Sequence, residues 1–539
     1  MLNSFLNLLR SFLSIHIFER SRLFLIFISR LIYDFYRPPI KLDKAKKFIF
    51  NVQYIWAFSE LEFMAAAQLK SLGHDVRVII CDGLPYTEKE IAKLKKPSYV
   101  SCTNRTKRFC KAYGIEFLRM SSFLSEKDLI EAKKISLKDI NYIKGLYQDN
   151  IDLSDLAKRN HAHYFKGDIE PVGQYEIIFR KAIESALLVY FSFSKILEKY
   201  NKHCLITANG KFIQTAIPAL MNQNIGNEYF TYEVFGQGNG VILDKNKPSL
   251  EQRMDEVWDD LKKTKLTKKE KERLYFSFKL QEKSESLPFD LWDENRIDDK
   301  NKIISMLGID QKKKIISCYP NVFWDSTHMG LKGVSDNLSS WLSDMVNYAA
   351  SNSEIELIIR THPGELKVPT ILQSKYTLAD TLMSQFERMP NNVHLIEPDS
   401  NLSSYAIAEF SDANLVWNGT IGLEFVLRGI KPFVVADAYY SSKGFTNDFL
   451  DFDELKYSLN TIQNPQTVSK EERRLAEIFS YHIRFNRKFN PPYYKGTRCY
   501  LFKYSMIEKG RNSVLDEMVS YYLGNRSYMN IGKFKFDEI

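Results

Sequence analysis

The chain has 539 residues, a formal net charge of +9, 44% hydrophobic residues and 26% charged residues. Such a length exceeds what one core holds and fits two domains with connecting pieces, and the composition excludes a disordered or fibrous chain. The basic excess is spread over 75 basic and 66 acidic side chains, which argues against a nucleic-acid binder and suits phosphate-bearing substrates or an anionic lipid surface.

The six cysteines, Cys81, Cys102, Cys110, Cys204, Cys318 and Cys499, are scattered with no CxxC pair. A reducing, cytoplasmic setting follows, and neither a metal nor a cofactor is expected. Residues 1–44 are rich in Leu, Ile and Phe, but Arg10, Glu19, Arg20, Arg22, Arg30 and Arg37 interrupt them. No run is long enough to span a bilayer, and no small-residue cleavage site marks a secretory signal. The pattern is that of a basic amphipathic segment, suited to lying on the inner membrane surface or to packing on the protein itself; Pro38 and Pro39 end it.

KFIFNVQYIW then predicts a buried strand, Glu60 to Leu72 a helix, and DVRVIIC a second strand. The stretch from Lys127 to Lys199 reads as largely helical. HCLITA predicts a strand, followed by the loop ANGK, a helix near Ile213 to Gln223 and the strand EYFTYE. Residues 45–250 thus form one α/β lobe. Residues 251–312, with LKKTKLTKKEKERL at their centre, read as a charged helical bridge. Alternation resumes over 313–470 with KIISCYP, a helix around Trp341 to Ala350, ELIIRTHPGE, NVHLIEP, ANLVW, a helix from Ile421 to Arg428, and PFVVA. Residues 471–539, entered through the run SKEERRLAEIFSYHIRFN that starts at Ser469, predict a helix crossing back to the first lobe and a tail. The fold class expected is α/β, with two Rossmann-like doubly wound lobes facing a cleft.

Ligands of open α/β sheets sit beyond the carboxyl ends of the strands. In the second lobe, the strand ELIIR runs into Thr361, His362, Pro363, Gly364 and Glu365, with Arg360 beside the histidine, which sets an imidazole at the cleft edge to bond a leaving phosphate or, when protonated, to neutralise it. A turn histidine capping a strand is the other reading. ANLVW leads into Asn418, Gly419 and Thr420 at a helix start, where free backbone N–H groups and the helix dipole suit a phosphate and where ordinary helix capping is an equal alternative. Glu424, one turn in, is within reach of ribose hydroxyls. Asn321, Trp324 and Asp325 follow KIISCYP, and the loop Asp437 to Thr446 follows PFVVA; each is a candidate contact with base, sugar or acceptor, and for Trp324 core packing is as good an account.

CYPNVFWD, IIRTHPGE, the stretch HLIEPDSNLSSYAIAEFSDANLVWNGTIGLEFVLRGIKPFVVADAYYSSKGFT, ANGKF and YFTYE resemble bacterial capsular polysaccharide synthesis proteins, which look like glycosyltransferases of the GT-B arrangement related to Kdo transferases. The resemblance spans about residues 47–490 and is strongest from Lys314 to Thr446. It implies transfer of a sugar from a nucleotide-sugar donor, such as CMP-Kdo, to a lipid-linked or growing surface polysaccharide. It also implies a peripheral site of action at the inner membrane beside other capsule-assembly proteins. His362, Pro363 and Thr420 match the family's phosphate-binding places, although the helix start reads Asn-Gly-Thr where paired serines or Ser-Thr are more usual.

The first lobe is then expected to supply the acceptor site and a catalytic carboxylate. Glu60, Glu62, Asp82 and Glu233 all fall near strand ends, with Glu62 and Glu233 the leading candidates for an inverting base or a retaining nucleophile. Lys211, in the loop with Asn209 and Gly210, is a candidate for an acceptor or donor carboxylate; a plain turn explains that loop almost as well. Two rival readings stand beside this one: a polyol-phosphate transferase using CDP-glycerol, and a non-catalytic polysaccharide-assembly factor on the same fold.

Overall fold

In the computed structural model, residues 15–525 are described apart from 38–39, 53–59, 81, 83–97, 168–169, 236–239, 252, 283–294, 328, 369–372 and 496–497. The end of KFIFNVQYIW and Cys81 therefore lie outside the described residues. The chain divides into two compact units. The first takes residues before Lys158, Ile177–Ser249 and those from Phe485 onward, and the second takes Lys158–Glu176 and Leu250–Arg484. Residues 251–312 thus group with the second unit, as does a short stretch from within the region expected to be the first lobe.

In the first unit the elements are α1 (Ile15–Tyr36), β1 (Lys47–Val52), α2 (Glu60–Ser71), β2 (Asp75–Ile80), α3 (Ser98–Tyr113), β3 (Glu116–Arg119), α4 (Glu176–Lys199), β4 (Cys204–Ala208), α5 (Ile213–Asn224), β5 (Tyr229–Phe235) and β6 (Gly240–Lys245). The sheet order is β3-β2-β1-β4-β5-β6. Every pairing is parallel except β5 with β6. Parallel strands covered on both faces need continuous apolar runs, and FIFNV, VII and LIT are buried accordingly. The tail contributes a last helix, Ser513–Tyr522, whose Tyr521 and Tyr522 rings stand edge-on to Phe230 at 5.0 and 5.1 Å.

The second unit repeats the scheme with β7 (Lys314–Tyr319), α6 (Leu338–Ala350), β8 (Ile355–Arg360), β9 (Val393–Ile396), β10 (Ala413–Val416), α7 (Ile421–Arg428), β11 (Phe433–Val434), β12 (Asn447–Asp448) and α8 (Lys470–Tyr481). Its sheet runs β9-β8-β7-β10-β11-β12, all parallel. One face packs on Trp341 and Trp417, whose rings lie 5.5 Å apart; the other packs on Ile303, Ile358, Val416 and Phe425. Both units are Rossmann-like. In each, the strand order reverses at the middle, between β1 and β4 in the first and between β7 and β10 in the second, and these reversals are the switch points where such sheets open a crevice.

Candidate functional site

At the switch point of the second unit, β7 ends in Tyr319 and β10 in Val416, and the chain leaves each through an asparagine-bearing turn. Asn321 Nδ2 donates to Asn418 Oδ1 at 3.1 Å and to Thr327 Oγ1 at 3.1 Å. Both asparagines are buried, so these bonds fix the two loops against each other where a ligand would lie. Below them Ser317 Oγ donates to Asn414 Oδ1 at 2.8 Å, a second polar tie between the same strands.

α7 begins directly beyond. Its N-cap, Thr420, makes no side-chain capping bond, Asn418 Oδ1 accepts from Asn321, and the Gly422 N–H turns back onto the Gly419 carbonyl at 3.1 Å. The Tyr440 hydroxyl donates to the Gly419 carbonyl at 2.8 Å. A Cβ on Gly422 would stand 2.2 Å from that hydroxyl, so the bond requires glycine there. The result is a helix start shaped by buried contacts, with its exposed first residue, Thr420, facing out.

On the other side of β7, β8 delivers His362 to the same edge, one strand away from β7 and two from β10. Its Nδ1 accepts the Gly364 N–H at 2.9 Å, which leaves the neutral ring's proton on Nε2. Burial pushes its pKa down to about 4; Asp325 pulls the other way and Arg360 adds to the lowering. The imidazole is therefore a neutral N–H donor near pH 7, which favours the hydrogen-bonding alternative over the protonated one. Pro363 starts the short 3₁₀ turn Pro363–Glu365 that holds this geometry.

Arg360 is turned away from the edge. Its guanidinium donates to the carbonyls of Thr361 (3.2 Å), Glu397 (2.7 Å) and Ser400 (3.1 Å), and burial lowers its pKa to about 10. It pins the loop after β9, a structural task in place of the expected ligand contact. Glu424 is likewise buried, and it accepts from the Tyr405 hydroxyl at 2.5 Å. The loop Asp437 to Thr446 is committed to internal ion pairs, Arg253 with Asp437 and Asp255 with Lys443, while Tyr440 and Ser441 are buried. Trp324 donates through Nε1 to Ser374 Oγ at 3.2 Å and carries Lys166 Nζ 4.8 Å above its ring.

Sequence reasoning placed Glu365 beyond the strand but gave it no role. It is fully buried, its Oε1 accepts the Leu378 N–H at 3.0 Å, and Oε2 has no partner among the described residues. Burial raises its pKa to about 8, so it sits protonated beneath the His362 turn. The acid in THPGE was the available signal.

In the first unit the switch point lies between Val52 and Asn209. Asn51, a lone amide in an apolar strand, donates to Thr207 Oγ1 (3.1 Å) and to the Gln214 carbonyl (2.8 Å). Asn209 turns its Oδ1 onto the Lys211 N–H (3.0 Å) and the Thr215 hydroxyl (3.1 Å), so it shapes the start of α5, with Gly210 left-handed at φ 78°. Lys211 is buried. Glu233 sits within β5, which runs two residues past the expected end, and it is level with Asn209 by the Asn209 N–H to Tyr232 carbonyl bond of 2.9 Å. Its Oε1 accepts the Val234 N–H at 2.8 Å.

The two acids of α2 have opposite fates. Glu60 is locked in a buried pair with Arg22, and the Tyr113 hydroxyl donates to it at 2.5 Å. Glu62, two residues on and so on the other side of the helix, is fully buried, and among the described residues only the Tyr232 hydroxyl acts on its carboxylate. Burial pushes its pKa up to about 8 against the pull of the Tyr232 hydroxyl. Asp82 is held by the Ser121 N–H at 3.1 Å and by the Ser121 hydroxyl.

No family model matches the chain, and no curated protein matches it. Among solved structures it is similar to a beta Kdo 2,7 transferase KpsC of Thermosulfurimonas dismutans, with 14% identity, a TM-score of 0.30 and coverage of 54% of this chain and 79% of that one. The beta Kdo 2,4 transferase KpsC of the same organism gives 12%, 0.30, 51% and 78%. The glycosyltransferase SnogD from Streptomyces nogalater gives 10%, 0.20, 82% and 96%. At such scores each is a likeness and nothing further.

Proposed function

We propose that the chain is a glycosyltransferase of GT-B type that moves a sugar from a nucleotide-sugar donor, such as a CMP-sugar, to a lipid-linked or growing surface polysaccharide at the inner face of the membrane. The observation that carries the reading is the carboxyl edge of the second sheet. There a neutral imidazole at the end of β8 and the start of α7, whose N-cap Thr420 makes no side-chain capping bond, both leave the carboxyl edge, and the buried Asn321–Asn418 bridge joins the loops after β7 and β10. Neutral donors of this kind bond a phosphate oxygen without needing a protonation step, and they strengthen as negative charge grows on the departing phosphate.

In this scheme the donor phosphate lies against Thr420 and the start of α7, with His362 as the donor to its leaving oxygen. Glu62 is the proposed base for the acceptor hydroxyl, since a carboxyl raised to about 8 becomes a strong base once it ionises. Glu233 is the alternative carboxylate. The test is a thermal-shift panel of CMP, UDP, GDP, their sugars and CDP-glycerol, followed by turnover with whichever stabilises the protein. A rise in Tm with a sugar nucleotide and release of its nucleotide supports the reading. Stabilisation by CDP-glycerol with glycerol phosphate transfer replaces it with the polyol chemistry, and no response to any nucleotide overturns it.

A further inference from the structure

The first helix is inside out. Over its described side chains, Glu19, Arg22, Leu23 and Ile26 are buried, and the charged members of that set make internal pairs: Arg22 with Glu60, and Glu19 with Arg105. The opposite face carries Phe24, Leu25, Ile28, Leu31, Ile32 and Phe35, all exposed, with Phe24 at 62%, Ile32 at 56% and Phe35 at 81%. At 100° per residue these six fall within an arc of about 120°. α4 shows the ordinary arrangement by contrast, burying Phe179, Ile183, Ala186 and Leu187. A continuous apolar stripe facing outward on a helix anchored by its charges needs a non-aqueous neighbour.

The surroundings choose that neighbour. Residues 20–47 contain eight Lys and Arg against two Asp. Along one border of the stripe Arg20 is exposed, and the exposed Lys111 lies 5.2 Å from the Phe27 ring, while Arg30 is turned inward onto Asp34 and the Ala112 carbonyl. Past the helix end Lys41, Lys44 and Lys46 are exposed beside Ile40 and Leu42. A second copy docked on this face through a two-fold would bring these cations against one another, whereas anionic headgroups complement them. No described helix is long and apolar enough to cross a bilayer, so the geometry fits a helix lying in the interface.

We infer that the outward face of α1 is a bilayer-docking surface, with Phe24, Leu31 and Phe35 entering the acyl boundary and Arg20, Lys41 and Lys111 meeting anionic headgroups. It gives the membrane location of the proposed function a named surface, and it stands or fails independently of nucleotide binding. In the test, the full chain is mixed with vesicles of phosphatidylcholine alone or with phosphatidylglycerol and floated on a gradient. Wild type is expected to float with the anionic vesicles and to be released by high salt. The triple variant Phe24→Ser, Leu31→Ser, Phe35→Ser is expected to bind more weakly by about tenfold or more, with an unchanged Tm and an unchanged response to nucleotides. Because a triple variant can lose its fold, Phe35→Trp supplies a second reading: its emission, taken as the difference from wild type with its six tryptophans, should shift to the blue on adding anionic vesicles. The inference is overturned if wild type does not float, if the triple variant floats equally well, or if the Trp emission is already blue and unmoved by lipid. The last result would mean that another part of the chain or a second copy covers the face, and light scattering tells which.

Discussion

At the scale of single residues, His362 and Glu62 are held out of their ordinary charge states, in each case by burial. For His362 the folded pKa of about 4 lies below the ordinary 6.5, so its contribution to stability is present above 6.5 and is lost as pH falls toward 4. His362→Ala should therefore flatten the fall in Tm between those pH values. Its turnover should drop by about 100-fold or more, on the scale of losing one preorganised donor, and the wild-type pH–rate profile should show no imidazole limb near 6.5. Glu62 has the reverse sign. Its folded pKa of about 8 exceeds the ordinary 4.5, so the stabilising effect of its bound proton is full below 4.5 and is lost as pH rises through 8. Glu62→Gln should raise Tm at pH 8, match wild type near pH 4, and remove activity at every pH. A variant that keeps wild-type turnover would move the base to Glu233.

Elements set what the residues can do. The Arg22–Glu60 pair joins α1 to α2, and Arg22 Nη1 also donates to the Leu501 carbonyl at 3.1 Å. Arg22→Met leaves Glu60 buried without its cation, so a loss of about 3–5 kcal/mol is expected, read by denaturant unfolding. Early hydrogen exchange over residues 15–36 should accompany it. Much of this layer was legible in the sequence: apolar runs of four to six residues located the core strands, and Ile421–Arg428 came out with the bounds predicted for it. What escaped was set by distant partners. β6, GVILDK, turns back antiparallel beside β5, and periodicity does not carry strand direction. Glu60 and Glu62 are indistinguishable in a helix start, and only the side of α2 that meets Arg22 separates them. Arg360, beside His362, and Glu424, one turn into its helix, are expected at the ligand from sequence, but their side chains turn inward to carbonyls and to Tyr405. Strand ends tell where a site lies; the packing beneath decides which side chains face it.

For the whole molecule, the notable fact is that neither unit is one continuous length of chain. The first closes only with residues from Phe485 on, and the second borrows Lys158–Glu176 from between two pieces of the first. In the first unit the Gln68 amide donates to the Ile507 carbonyl and to Asp516, each at 2.8 Å, and Arg487 forms a buried pair with Asp244 at 2.8 Å. A chain stopped after Arg484 should therefore lose the cooperative melt of the first unit, as followed by calorimetry. During synthesis the same layout imposes a delay. The sheet that begins at Lys47 waits, with Phe230 and the α2 face uncovered, until the residues from Phe485 on clear the ribosome, so chaperone demand should last until then and termination before Phe485 should yield aggregate instead of a folded first unit.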